Sequence, residues 1–246
     1  MHYENTHAFA RQLDRDDSLR SFREQFIFPQ HNGENVLYFC GNSLGLQPKT
    51  IRHALLHELD QWATHGVEGH FRGELPWMYY HKFLTDQSAR LVGALPQEVV
   101  VMNTLTVNLH LMMVSFYRPT PERYKIIMEA GAFPSDQYAV ESQVRWHGYD
   151  PATAIVELAP RAGEDTLRTD DILQVIEKEG GATALVMLGG VNYYTGQLYD
   201  MEKIAAAAQR SGSFAGFDLA HAAGNAVLKL HDWNVDFAVW CSYKYL

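Results

Sequence analysis

The chain has 246 residues, 47% of them hydrophobic, with 20 Lys and Arg against 29 Asp and Glu, a formal net charge of −9. That is enough apolar material for a sizeable core in one large or two small domains. The acidic balance argues against nucleic acid as a partner, and no basic run suggests attachment to an anionic membrane.

Cys40 and Cys241 form no CxxC pair, so neither a disulfide framework nor a metal site is expected. Both fall in apolar, strand-like stretches, where cysteine is expected as a small buried hydrophobe. Met1–Asn5 lacks the basic start and apolar run of a secretory signal. No stretch approaches the roughly 18 apolar residues of a membrane span. A cytoplasmic setting is the expectation.

Residues 1–95 read as a mainly helical segment and residues 96–246 as a ligand-binding domain. Thr6–Gln25 is charged, with Phe9, Leu13, Leu19 and Phe22 spaced along it. Val36–Phe39 predicts a short strand, stopped by Gly41, Asn42 and Gly45. Pro48 is expected to open a helix, where its missing N–H is tolerated. Ile51, Leu55, Leu59 and Trp62 give that helix its apolar spacing, and Gly66 ends it. A further helix is predicted from Pro76 to Leu91, stopped by Gly93.

Beyond residue 96 strands and helices alternate. Strands are predicted at Glu98–Met102, Tyr124–Glu129, Thr153–Leu158, Ala182–Leu188, Phe214–Asp218 and Val235–Ser242. Helices are predicted at Thr106–Phe116, Ser135–Trp146, Thr169–Glu179 and Asp200–Arg210. Short unbroken apolar strands alternating with helices indicate an α/β fold with a mainly parallel sheet. Such sheets bind ligands beyond the carboxyl ends of their strands, so the loops there carry the interest.

Asn103–Asn108 joins a strand to a helix whose amino end can bind a phosphate oxygen, with Thr106 as a hydroxyl donor. An ordinary Thr N-cap explains the same residues. Phe133 can stack on a flat ring, while Ser135 or Asp136 can simply cap the next helix. Gly190 and Gly196 frame a polar loop that also reads as a plain turn. The most informative pair is Asp218 and Lys244, each emerging from an apolar strand, with His221 three residues after the aspartate. A buried salt bridge between them is the bland reading, and such pairs contribute weakly to stability. The alternative use is chemical. A lysine amine can hold pyridoxal phosphate covalently while a carboxylate keeps the pyridine nitrogen protonated.

Several segments resemble kynureninases. They are Tyr38–Leu46, Leu105–His110, Phe133–Asp136, Tyr193–Gln197, Phe217–Ala222 and Trp240–Leu246, which occur in the family's order and span nearly the whole chain. The resemblance implies the fold of aspartate aminotransferase (fold type I of pyridoxal-phosphate enzymes), and hydrolysis of L-kynurenine or its 3-hydroxy form to an anthranilate and L-alanine. It implies that Lys244 carries pyridoxal phosphate and moves a proton, that Asp218 pairs with the pyridinium nitrogen, and that Phe133 stacks on the ring. Leu105, Thr106, Pro134, Ser135, Asp136 and His221 are implied cofactor contacts, and Tyr243 an implied phosphate ligand and proton donor. His70 and Ser43 match positions bordering the substrate, with a surface histidine the competing reading of His70. Tyr194 falls in a segment near the cofactor.

Gly189 departs from animal relatives, which often carry serine there. The chain also ends two residues after Lys244. The family's C-terminal small domain, with an arginine for the substrate α-carboxylate and cofactor contacts across a homodimer interface, is therefore expected to be missing. On that reading this chain by itself is inactive and exposes apolar surface. A class V aminotransferase or a cysteine desulfurase is the alternative enzyme, and an inactive fragment the alternative to an enzyme.

Overall fold

In the computed structural model, which describes residues 2–246, the chain divides between Met78 and Tyr79 into two compact units. The first begins with α1 (His7–Asp16), capped by Thr6, whose hydroxyl accepts the Phe9 N–H at 3.2 Å. A separate 3-10 turn, Arg20–Gln25, follows instead of one continuous helix. Four two-residue strands come next: β1 (Phe26–Ile27), β2 (Gln30–His31), β3 (Glu34–Asn35) and β4 (Gln47–Pro48). β1 pairs with β4 and β2 with β3, both antiparallel. The unit closes on α2 (Ile51–His65) and a 3-10 turn, Gly66–His70.

Three further expectations fail here. Val36–Phe39 forms no strand, because no neighbouring chain offers it a ladder, and Leu37 and Phe39 stay exposed. Pro48 belongs to β4, and the helix starts at Ile51. Cys40 is exposed and lies outside any strand.

In the second unit the helix expected to end at Gly93 is two pieces, α3 (Tyr80–Phe83) and α4 (Thr85–Val92). Gly93 terminates α4 with φ 63°, and a Cβ there would stand 2.6 Å from the Lys229 Cα. Left-handed backbone and close packing therefore both select glycine. The remaining elements are α5 (Leu105–Phe116), β5 (Lys125–Glu129), α6 (Pro134–Trp146), α7 (Pro151–Ala154), β6 (Ile155–Leu158), α8 (Thr169–Glu179), β7 (Thr183–Gly189), α9 (Met201–Arg210), β8 (Phe214–Asp218) and β9 (Phe237–Val239).

The five strands β5–β9 form one parallel sheet in the order β6-β5-β7-β8-β9. Successive side chains point to opposite faces, so each strand feeds two cores. Ile127, Val186, Leu188 and Phe217 pack with α8 and α9. Ile126, Met128, Leu185 and Met187 pack with α5 and α6. Each large aliphatic chain so buried contributes roughly 1.5–3 kcal/mol.

Glu98–Met102 is not a strand. Pro96–Glu98 makes a 3-10 turn closed by the Leu95 N–H donating to the Glu98 carboxylate at 2.8 Å, and the rest joins no sheet. Of the predicted final strand only Phe237–Val239 lies in the ladder, and β8, which ends at Asp218, offers no partner to Trp240–Ser242. The chain steps from β5 to β6 on one side and to β7 on the other. This makes the carboxyl ends of β5 and β7 the topological switch point where ligands bind such sheets.

Candidate functional site

β5, β7, β8 and β9 end at Glu129, Gly189, Asp218 and Val239. The parallel register sets Gly189 beside Asp218 and Asp218 beside Val239. Backbone bonds lock this row: the Gly190 N–H donates to the Asp218 carbonyl, and the Leu219 N–H to the Val239 carbonyl, both at 2.7 Å. The loops that leave these strands carry the chemistry.

Asp218 is 7% exposed, and its Oδ1 accepts the Ala220 N–H at 2.6 Å. It hydrogen-bonds Asp136, a buried acid in the first turn of α6 that also accepts from the Ser135 hydroxyl at 3.3 Å. Burial first, then the Asp218 carboxylate, hold Asp136 well above the usual carboxylate range. Glu129 completes the cluster. It is 6% exposed, its two oxygens accept the Gly189 N–H at 3.0 and 3.2 Å, and burial pushes it up too. Among the described residues, no ion pair involves any of these three acids. Buried carboxyl groups so close together favour protons or a cationic ligand.

The salt bridge between Asp218 and Lys244 does not form. The Lys244 Nζ lies 2.9 Å from His221 Nε2 and 5.9 Å from the centre of the Phe133 ring. His221 is held below the usual histidine range by burial, then by the Lys244 charge, against a smaller opposing pull from Asp218. Phe133 is the N-cap residue of α6, with Pro134 at the first helical position. Its half-exposed ring meets Tyr193 edge-on at 5.2 Å. Tyr243 is exposed, and its phenol is raised by burial first and then by a hydrogen bond with Cys241.

The structure thus brings Phe133, Ser135, Asp136, Asp218, His221, Tyr243 and Lys244 to one sheet edge. Leu105 and Thr106 stand at the amino end of α5 and make no hydrogen bond or ring contact with that group. Thr104, not Thr106, is the N-cap residue, and its side chain makes no capping bond. His70 and Ser43 belong to the first unit, where both are exposed and His70 packs edge-on against Trp77 at 5.4 Å. Tyr194 is 87% exposed. It sits in a turn where Asn192 Oδ1 accepts the N–H groups of Tyr194 and Thr195 at 3.0 and 2.9 Å. A cavity of about 340 Å³ beside this turn is lined by Glu129, Asp165, Asn192, Tyr193 and Tyr199, among others.

Glu129 was not expected at the site, nor was Tyr245, whose hydroxyl lies 3.4 Å from His221 Nδ1. Glu129 carries the same signal as Asp218, a carboxylate ending an apolar strand. Gly189 now has a reason: a Cβ there would lie 3.0 Å from Glu129 Oε1, so glycine leaves the carboxylate room to take the backbone N–H.

Residues 38–246 match the family model for class-V aminotransferases. The chain is 61% identical over 245 residues to the kynureninase of Myxococcus xanthus and 59% identical over 246 residues to that of Christiangramia forsetii. These alignments take in 99% and 100% of this chain, which spans 58% of the length of each relative. Among solved structures, the cysteine desulfurase CsdA of Escherichia coli matches with a TM-score of 0.70 at 18% identity, over 91% of this chain and 54% of that one. That likeness carries the fold alone, an aminotransferase-type large domain with a parallel sheet between helices. On the match across residues 38–246, the chain belongs to the class-V aminotransferase family.

Proposed function

We propose that this chain is the cofactor-binding part of a pyridoxal-phosphate enzyme that hydrolyses L-kynurenine, or its 3-hydroxy form, to the corresponding anthranilate and L-alanine. The observation that carries the reading is the convergence of Lys244, Phe133 and Asp218 at one sheet edge, in a chain 61% identical to a kynureninase.

The donor set suits the cofactor. A protonated ring nitrogen supplies the cation that the buried acids Asp218 and Asp136 lack among the described side chains. Phe133 offers a half-exposed flat face, and the amine of Lys244 lies over that same face. The amino end of α5, with Leu105 and Thr106, presents free N–H groups suited to a phosphate. When bound, pyridoxal phosphate supplies an electron sink for the substrate α-carbon.

The chain's own residues then divide the work. Asp218 holds the ring nitrogen in its protonated form, and Asp136 supports Asp218 by a hydrogen bond. Lys244 would anchor the cofactor and, as a free amine, would carry the proton to and from the substrate α-carbon. Tyr243 would bind phosphate and donate a proton as the carbon–carbon bond breaks, since a phenol carries its proton near neutral pH. His221, Pro134 and Ser135 border the cofactor. We also infer a cytoplasmic homodimer acting in tryptophan catabolism and pyridine nucleotide biosynthesis.

Two measurements test this. Borohydride reduction with pyridoxal phosphate, followed by peptide mapping, is expected to label Lys244. Feeding L-kynurenine to the protein that carries this chain at its full length is expected to produce anthranilate fluorescence. Label on Lys244 with sulfur release from cysteine instead would move the reading to a desulfurase. No label would remove the enzyme reading altogether.

A further inference from the structure

The shortest contact of Lys244 is with His221, and the proposed chemistry does not use it. Nζ and Nε2 are 2.9 Å apart, and on the far side of the ring Nδ1 lies 3.4 Å from the Tyr245 hydroxyl. A lysine ammonium only donates, so Nε2 must accept, and a neutral imidazole then carries its proton on Nδ1. That leaves the Tyr245 oxygen as acceptor for Nδ1–H. The groups facing the ring agree with a neutral imidazole: Lys244 on one side, Tyr245 on the other, and Asp218 farther off with a weaker effect than burial. The backbone of His221 is itself held, its carbonyl accepting from the Asn225 amide at 3.0 Å.

We propose that His221, oriented by Tyr245, is the seat of the Lys244 amine whenever that amine is not bonded to a carbonyl carbon. This rests on the reading of Lys244 as the cofactor lysine. A long, flexible side chain loses its aim when free, and a proton carrier has to return to one place on each turnover. The seat supplies that place, over the Phe133 ring where the cofactor is proposed to lie. His221 and Tyr245 are positioning residues in this scheme, and the imidazole takes up no proton. Before the cofactor arrives, the same contact would hold the amine near the aldehyde; the ammonium would lose one proton to water, the free amine would add to the carbonyl carbon, and the C=O bond would give way to one C=N bond with release of one water.

The first test reads the ring directly. In nitrogen-15 NMR of the histidine-labelled chain, with His221 assigned by its loss in His221→Phe, the wild type is expected to show the Nδ1–H form. Lys244→Met is expected to relax it toward Nε2–H, the form usual in water. The second test follows capture of pyridoxal phosphate at neutral pH, quenched with borohydride at set times, with the Lys244 peptide weighed. His221→Phe is expected to slow capture about tenfold, the scale of losing a hydrogen bond to a charged group. Tyr245→Phe is expected to slow it about threefold. An Nε2–H ring in the wild type overturns the proposal, and so does capture within about twofold of wild type in both variants. If Lys244 of the wild type takes no label, the cofactor reading falls, and the tautomer still decides whether the seat exists.

Discussion

Helix α2 and strand β7 are both rich in apolar side chains, yet they use them differently. Leu59 and Trp62 on α2 are 56% and 64% exposed, whereas Leu185 and Val186 on β7 are fully buried. Among the described residues up to Met78, Gly69 alone is buried. β7 is laddered to a strand on each side and covered by helices on both faces. The difference teaches where precision comes from. A side chain at the end of β5, β7, β8 or β9 inherits a position fixed by hydrogen bonds and by two cores. Ser43 and His70 stand on backbone held by local turns.

Amide hydrogen exchange should show the largest contrast. β7 is expected to exchange only through global opening and α2 through local fraying, a gap of at least about 1000-fold. Equal protection in the two would erase the comparison. Next comes packing. Leu185→Ala is expected to cost roughly 2–5 kcal/mol in urea unfolding, and Leu59→Ala less than about 0.5 kcal/mol. A larger loss from the α2 variant would show that its apolar face is packed in solution.

The contrast can also be read in ligand capture. Asp218→Ala is expected to weaken pyridoxal phosphate binding about 100-fold, since it strips a buried charge of its partner. His70→Ala is expected to leave that affinity within about twofold. Titration by absorbance checks both, and a strong His70 effect would place that residue at the cofactor.

The smallest effect concerns the acids. Asp136 and Glu129 have folded values above their unfolded ones. Their protonated forms therefore stabilise the fold below the unfolded carboxylate range near pH 4, and this contribution is lost as pH rises toward the folded values. Asp136→Asn removes part of that loss. Its melting temperature is expected to exceed wild type by about 2–4 °C at pH 8 and to converge with it near pH 4. A constant offset at every pH would deny the titration.

The sheet and its helices were legible because each strand is a short apolar run between amphipathic helices. Thr169–Glu179 was read with the bounds it has in the structure. Val36–Phe39 and Glu98–Met102 read as strands in the same way but have no partner strand, and composition cannot announce a missing neighbour. The candidate site was first suggested by Asp218 and Lys244, each a charged residue at the end of an apolar run. Glu129 obeys the same rule, but it closes a strand that reads as ordinary. The contact of Lys244 with His221 was hidden for a different reason. It depends on how two loops fold back toward each other, which no local spacing encodes.

β9 has only three residues in register with β8, and Lys244 follows five residues beyond its last one. A slip of one position there would shift the amine by about 3.3 Å and turn the strand's side chains to the opposite face. The stretch between Gly224 and Asn234 lies outside the ladder but is fixed as well: Leu228 and Leu230 are buried, and the Leu230 and His231 N–H groups donate to the Val92 and Gly93 carbonyls at 3.1 and 2.9 Å. An inserted residue should therefore be disabling on both sides of β9, before Phe237 by breaking that packing and after Val239 by carrying the amine away from the sheet.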